Sequence, residues 1–151
     1  MGRMELQPET LEQIQQLIVA NFAGRDELYA AADTLDDGAR RDVCRRLAEF
    51  LAGHAVELQQ ILKANGQAPA GPVAVDPIAT AFFDSAQCSR GQVGVLAAAA
   101  ERERDLKEGY QHALEKVSHP SAENVLRRHQ KEVEFVEQVL RGMGAAEIEG
   151  Q

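Results

Sequence analysis

The spacing of apolar residues constrains this chain more than any other feature. Steps of three and four, doubled to seven where a polar residue takes the middle position, carry Leu11, Ile14, Ile18, Phe22, Tyr29 and Ala32 along one stretch, and Cys44, Leu47, Leu51, Leu58 and Ile61 along a second. A third runs through Leu96, Ala99, Leu106, Tyr110, Ala113 and Val117, and a fourth through Ala122, Leu126, Val133, Val136, Leu140 and Met143. That period is the signature of a helix with one inward face, and no strand-like alternation competes with it. Proline and glycine punctuate the pattern. Pro8 suits a first helical turn, Asp36 or Asp37 can cap the next helix, and Gly66 suits a helix end. The helices are therefore expected at about 8–34, 38–65, 92–117 and 121–143. Ser121 should cap the last one, and the tail after Gly144 should fray. The Gly- and Pro-rich segment GQAPAGPVAVDP reads as a long crossing loop. Asp76 and Pro77 would open a short helix at about 77–88 that carries Phe82 and Phe83. The expected fold is all-α: an antiparallel four-helix bundle occupying residues 1–151 as one domain, with one long connection.

Charge and composition exclude several functions. The 151 residues include 24 acidic and 16 basic side chains, for a formal net charge of -8, which repels a phosphate backbone. The pairs Arg40/Arg41 and Arg45/Arg46 lack aromatic or Gly-rich company and read as a solvated helix face. Nucleic acid is thus not an expected partner. No stretch reaches about 18 uninterrupted apolar residues, and the start has no apolar signal region, so neither membrane nor export is expected. Two separated thiols, Cys44 and Cys88, fit a reducing cytoplasmic, bacterial setting. No phosphate-cradling loop, nucleophile elbow or Cys–His or Ser–His motif supports a hydrolase or transferase. A homodimer or other homo-oligomer is expected, on the ground that bundles of this size often pair through an outer face.

The seams are interrupted by polar residues: Arg25 beside Asp26, then His54, Glu103 and His129, with Glu132 one turn beyond His129. Burying such groups costs several kcal/mol unless they are paired or hold a metal. Carboxylates and imidazoles on facing helices are ligands that iron or manganese takes in a bundle core. The other reading is an internal hydrogen-bond network in which Arg25 pairs with Glu103 and Tyr29 or Tyr110 satisfies the histidines.

The stretches GRDELYAAA, HAVELQQIL, ERERDLKEGYQHAL and KEVEFVEQVL make residues 9–143 resemble the ferritin-like superfamily. The likeness is to an uncharacterised bacterial branch, a domain of unknown function distantly similar to rubrerythrin and bacterioferritin. The resemblance implies a di-iron site built from Glu, ExxH, Glu and ExxH on successive helices. Carried over, it gives Glu103 and His54 as metal ligands, with Leu51 standing where the second helix should supply Glu. His129 and Glu132 follow in inverted order, HxxE, and Asp26 is the candidate from the first helix. The implied role is handling of iron or another divalent metal under stress, with oxidase-like activity if the metal is redox-active. Along straight helices Asp26 and His54 would stand about 12 Å apart, while Glu103 and Glu132 would be closer to level. The alternative is a metal-free structural or protein-interaction module.

Overall fold

The computed structural model describes the backbone of residues 6–72 and 77–149, and the side chains of 6–72 and 91–145. It is all-helical, with no strand among the described residues: α1 (Pro8–Thr34), α2 (Gly38–Ala64), α3 (Pro77–Lys116) and α4 (Pro120–Glu149). None of the described helices is long and apolar enough to cross a membrane.

The boundaries follow local chemistry. Pro8 opens α1 where its missing N–H costs nothing, and the Asp37 side chain accepts the Ala39 N–H at 3.0 Å to cap α2. Gly66 ends α2 at φ 73°. Its N–H bonds Lys63 O and the Gln67 N–H bonds Leu62 O, a pattern that uses two otherwise orphaned carbonyls. The start of α4 departs from expectation. Pro120, not a residue after Ser121, begins the helix, and the His119 ring Nδ1 accepts the Ser121 N–H at 3.2 Å. Histidine thus supplies the capping acceptor assigned to Ser121. At the other end α4 continues past Gly144 to Glu149. Gly144 does not adopt a left-handed terminating conformation; it is buried against Leu96, in a stretch where Ala145 and Ala146 favour helix.

Helical geometry fails once inside α3, at Gly91, with φ 66° and ψ -154°. A side chain there would be strained, so glycine permits the break between the stretch from Pro77 and the long stretch that reaches Lys116. Asp76 and the side chains of Phe82, Phe83 and Cys88 lie outside the described residues. The crossing segment is strapped down before that point. Gln15 donates to Ala68 O and accepts from the Ala70 N–H, while Gln59 donates to Ala70 O, at 2.7–2.9 Å.

α1 packs against α2 and α3, and α3 against α4, whereas α2 and α4 are the least closely packed of the neighbouring pairs. Ile14, Ile18, Leu28, Leu51, Leu58, Leu96, Leu126 and Leu140 are buried at the centre. Burying such a side chain contributes on the order of 1.5–3 kcal/mol. The same interior holds Asn21, His54, Glu103, Tyr110 and His129, and these polar groups define the candidate site.

Candidate functional site

The network is built by two copies of one short pattern. His54 and Glu57 stand three residues apart on α2, and His129 and Glu132 stand three apart on α4. Each pair puts imidazole and carboxylate on neighbouring positions of one helix face. The partners are exchanged between helices: His54 Nε2 meets Glu132 Oε2 at 2.5 Å, and His129 Nε2 meets Glu57 Oε1 at 3.0 Å. The two imidazoles stack with centroids 4.1 Å apart, and Phe50 packs against His54 at 5.1 Å. Both rings are buried, whereas Glu132 and Glu57 keep partly exposed carboxylates, 29% and 41% for the side chains. The charged ends therefore stay hydrated while the rings fill the core.

A chain of hydrogen bonds extends from His129 to the centre. Tyr110 Oη lies 3.0 Å from His129 Nδ1, and Asn21 Nδ2 lies 2.8 Å from both Tyr110 Oη and Leu17 O. The Leu17 carbonyl can only accept, so it identifies the Asn21 nitrogen as donor. The second Asn21 hydrogen then points to the Tyr110 oxygen, and the Tyr110 hydroxyl hydrogen goes to His129 Nδ1. It follows that neutral His129 carries its proton on Nε2 and donates it to Glu57. Arg128, paired with the same carboxylate, closes the chain at the surface.

Burial favours the neutral ring in both histidines. It lowers the pKa of His54 against the opposing pull of Glu132, and with His54 nearby it brings His129 down to about 4. For Glu57 burial pushes upward, but the Arg128 and His129 hydrogen bonds outweigh it and hold the carboxylate ionised. Burial also raises the Tyr110 hydroxyl, so this phenol donates and does not ionise. The Cys44 thiol is pushed up to about 11 by burial, which removes it as a nucleophile near neutrality.

Glu103 belongs to a different environment. Only 1% exposed, it faces the interface of α1 with α3, and its Oε2 has no hydrogen-bond partner among the described residues. Burial first, then the charges of Glu27 and Glu137, raise its pKa to about 8. Burial likewise raises Glu27, although Arg102 opposes the shift. Glu137 is held ionised because the hydrogen bonds from Lys107 and Arg141 outweigh its own desolvation.

Of the residues singled out in the sequence, the structure thus brings together His54, His129 and Glu132. It gives Glu103 other neighbours, and Asp26 turns aside to bind Arg25 at 3.0 Å. Arg25 does not pair with Glu103; its guanidinium covers the Phe22 ring at 4.9 Å, partly exposed at the rim of the core. Tyr29 likewise bonds Glu49, not a histidine. Glu57 and Asn21 are the residues that seam reading passed over. Glu57 was visible as the repeat of HxxE, HAVE on α2 matching HQKE on α4. Asn21 had no comparable signal. Among the described residues, no three His, Cys, Asp or Glu side chains converge in a group able to hold a metal ion. Comparison with protein-family models, with curated proteins and with solved structures yields no match.

Proposed function

We propose that this protein is an antiparallel bundle of ferritin-like type in which a closed hydrogen-bond network takes the place of a metal centre. Its role on this reading is that of a metal-free structural module. Pairings such as Tyr29 with Glu49 and Asp33 with Arg45 support opposed directions for α1 and α2. The break at Gly91 supports a separate short helix at the end of the long crossing.

One observation carries the metal-free reading: the direction of the protons along Asn21, Tyr110 and His129. A metal ligand needs a bare imidazole nitrogen, and here Nδ1 accepts from Tyr110 while Nε2 is protonated toward Glu57. Both ring nitrogens of His129 are satisfied without a cation. Nitrogen-15 NMR of the full chain at pH 7 tests this directly: His129 should be the Nε2–H tautomer. Finding the proton on Nδ1 would remove the basis of the proposal.

A second reading has its own support at the other pair. Nδ1 of buried His54 has no partner among the described residues, and its Nε2 faces Glu132 alone. Iron, manganese or another divalent metal would enter between His54 Nε2 and Glu132 by displacing the proton they share. Elemental analysis after chelator-free purification, repeated after anaerobic addition of ferrous iron, separates the readings. Well under one equivalent is expected; a stoichiometric metal lost in His54→Ala would favour the second. A homodimer is the assembly we propose, to be checked by light scattering.

A further inference from the structure

A cavity of about 300 Å³ opens between α1 and α3, away from the histidine pairs. One wall is small and apolar, from Leu17, Ala20 and Leu106, and the other carries Glu27, Glu103 and Asp105. Two glycines line it. A Cβ on Gly109 would stand 3.4 Å from Leu17, and a Cβ on Gly24 would stand 2.9 Å from Leu51 and 3.8 Å from Glu103 Oε1. The Glu103 carboxyl is therefore directed at the Gly24 wall, buried and with an oxygen unpartnered. Three acids line the polar wall against a single arginine, Arg102, whose side chain is 45% exposed, so the wall offers carboxyl oxygens that an arriving cation would ionise.

We propose that this cavity binds a small organic cation, an alkylammonium whose NH₃⁺ is held by Glu103 and Glu27 and whose short chain lies on Leu17, Ala20 and Leu106. The geometry selects this class over two others. An anion would meet the carboxylates. A bare divalent ion needs several oxygens drawn to one point, and no such group exists among the described residues. An ammonium brings three donors that separated acceptors can share, and an apolar body to match the other wall. The proposal is independent of the histidine network, because neither Glu103 nor Glu27 takes part in it.

The test is isothermal titration of the full-length protein with n-butylammonium, alongside n-butanol and Mn²⁺ as separate probes. A ligand this small should bind with a dissociation constant in the millimolar range, saturably and at one site. Glu103→Gln keeps the shape and removes the acid that would ionise against the ammonium, and should weaken binding by about tenfold. Gly109→Leu fills the cavity without touching the acids and should abolish binding; circular dichroism checks that both variants fold. Equal binding of n-butanol, an unchanged constant in both variants, or no saturable heat with n-butylammonium would each overturn the proposal. Tight Mn²⁺ binding that excludes the amine would overturn it too, in favour of a metal site.

Discussion

Two parts of this interior bury polar groups in opposite ways. Between α2 and α4 every charge is led outward: the imidazoles are neutral, and their protons point to carboxylates that still reach water. Between α1 and α3 a carboxyl is buried without a partner for one oxygen, and the nearest charges are of its own sign. The first arrangement is largely stable by itself, because each imidazole and the Tyr110 hydroxyl regain a hydrogen bond, with His54 Nδ1 and Asn21 Oδ1 left unpartnered among the described residues. The second tolerates its burial by keeping a proton, which ties its cost to pH.

The sharpest way to break the contrast is His129→Ala. It leaves a cavity, orphans the Tyr110 hydroxyl and strips Glu57 of a donor, so urea denaturation at pH 7 should show a loss of about 3–5 kcal/mol. Next comes Glu103→Gln, where the sign reverses. The free carboxyl titrates at 4.5 and the folded one at about 8. The unfolded chain ionises first as pH rises, so stability is intact below about pH 4.5 and is withdrawn as pH climbs through 8. At about 1.4 kcal/mol per unit at the steepest, the wild type should lose a few kcal/mol over that window. Glu103→Gln should flatten that slope, as unfolding curves at pH 5 and pH 8 will show. A variant with undiminished slope would mean that Glu103 is not the group responsible.

His129 provides the mirror image. Its pKa falls from 6.5 to about 4 on folding, so the stability it contributes is present above 6.5 and is lost as pH falls toward 4. Tyr110→Phe is a milder probe of the same chain: it orphans Asn21 and His129 Nδ1 and should cost about 1–3 kcal/mol. The smallest effect is expected for Arg128→Ala, at most about 1 kcal/mol, since its pair with Glu57 is half-exposed. If Arg128→Ala matched Tyr110→Phe, the outer end of the chain would be as buried energetically as the inner end, and the contrast would need redrawing.

The helices were legible because their ends are set locally. Proline at position 8, aspartate at 37 and glycine at 66 act within a turn or two of where they stand. Where a cap depended on an imidazole, at His119, the residue type did not announce it. The site was only half legible for a related reason. Periodicity tells which residues face inward, and it found His54, Glu103 and His129. It does not tell which of them meet, since that depends on how the helices are rotated and aligned. Asp26 and Glu132 were both assigned to one centre on proximity along the chain. The structure turns Asp26 to Arg25 and gives Glu132 to His54. Glu57 escaped because the ligand order sought was ExxH, whereas this chain writes HxxE twice.

The exchange of partners between those two motifs has a mechanical consequence. Apolar side chains of similar size can repack when one helix slides along another by a turn, about 5.4 Å. Here a slide of that size would pull His54 from Glu132 and His129 from Glu57 in the same movement. Like two pins through one hinge leaf, the pairs hold α2 and α4 at a single setting along their length, at the neighbouring pair with the least packing to hold it otherwise.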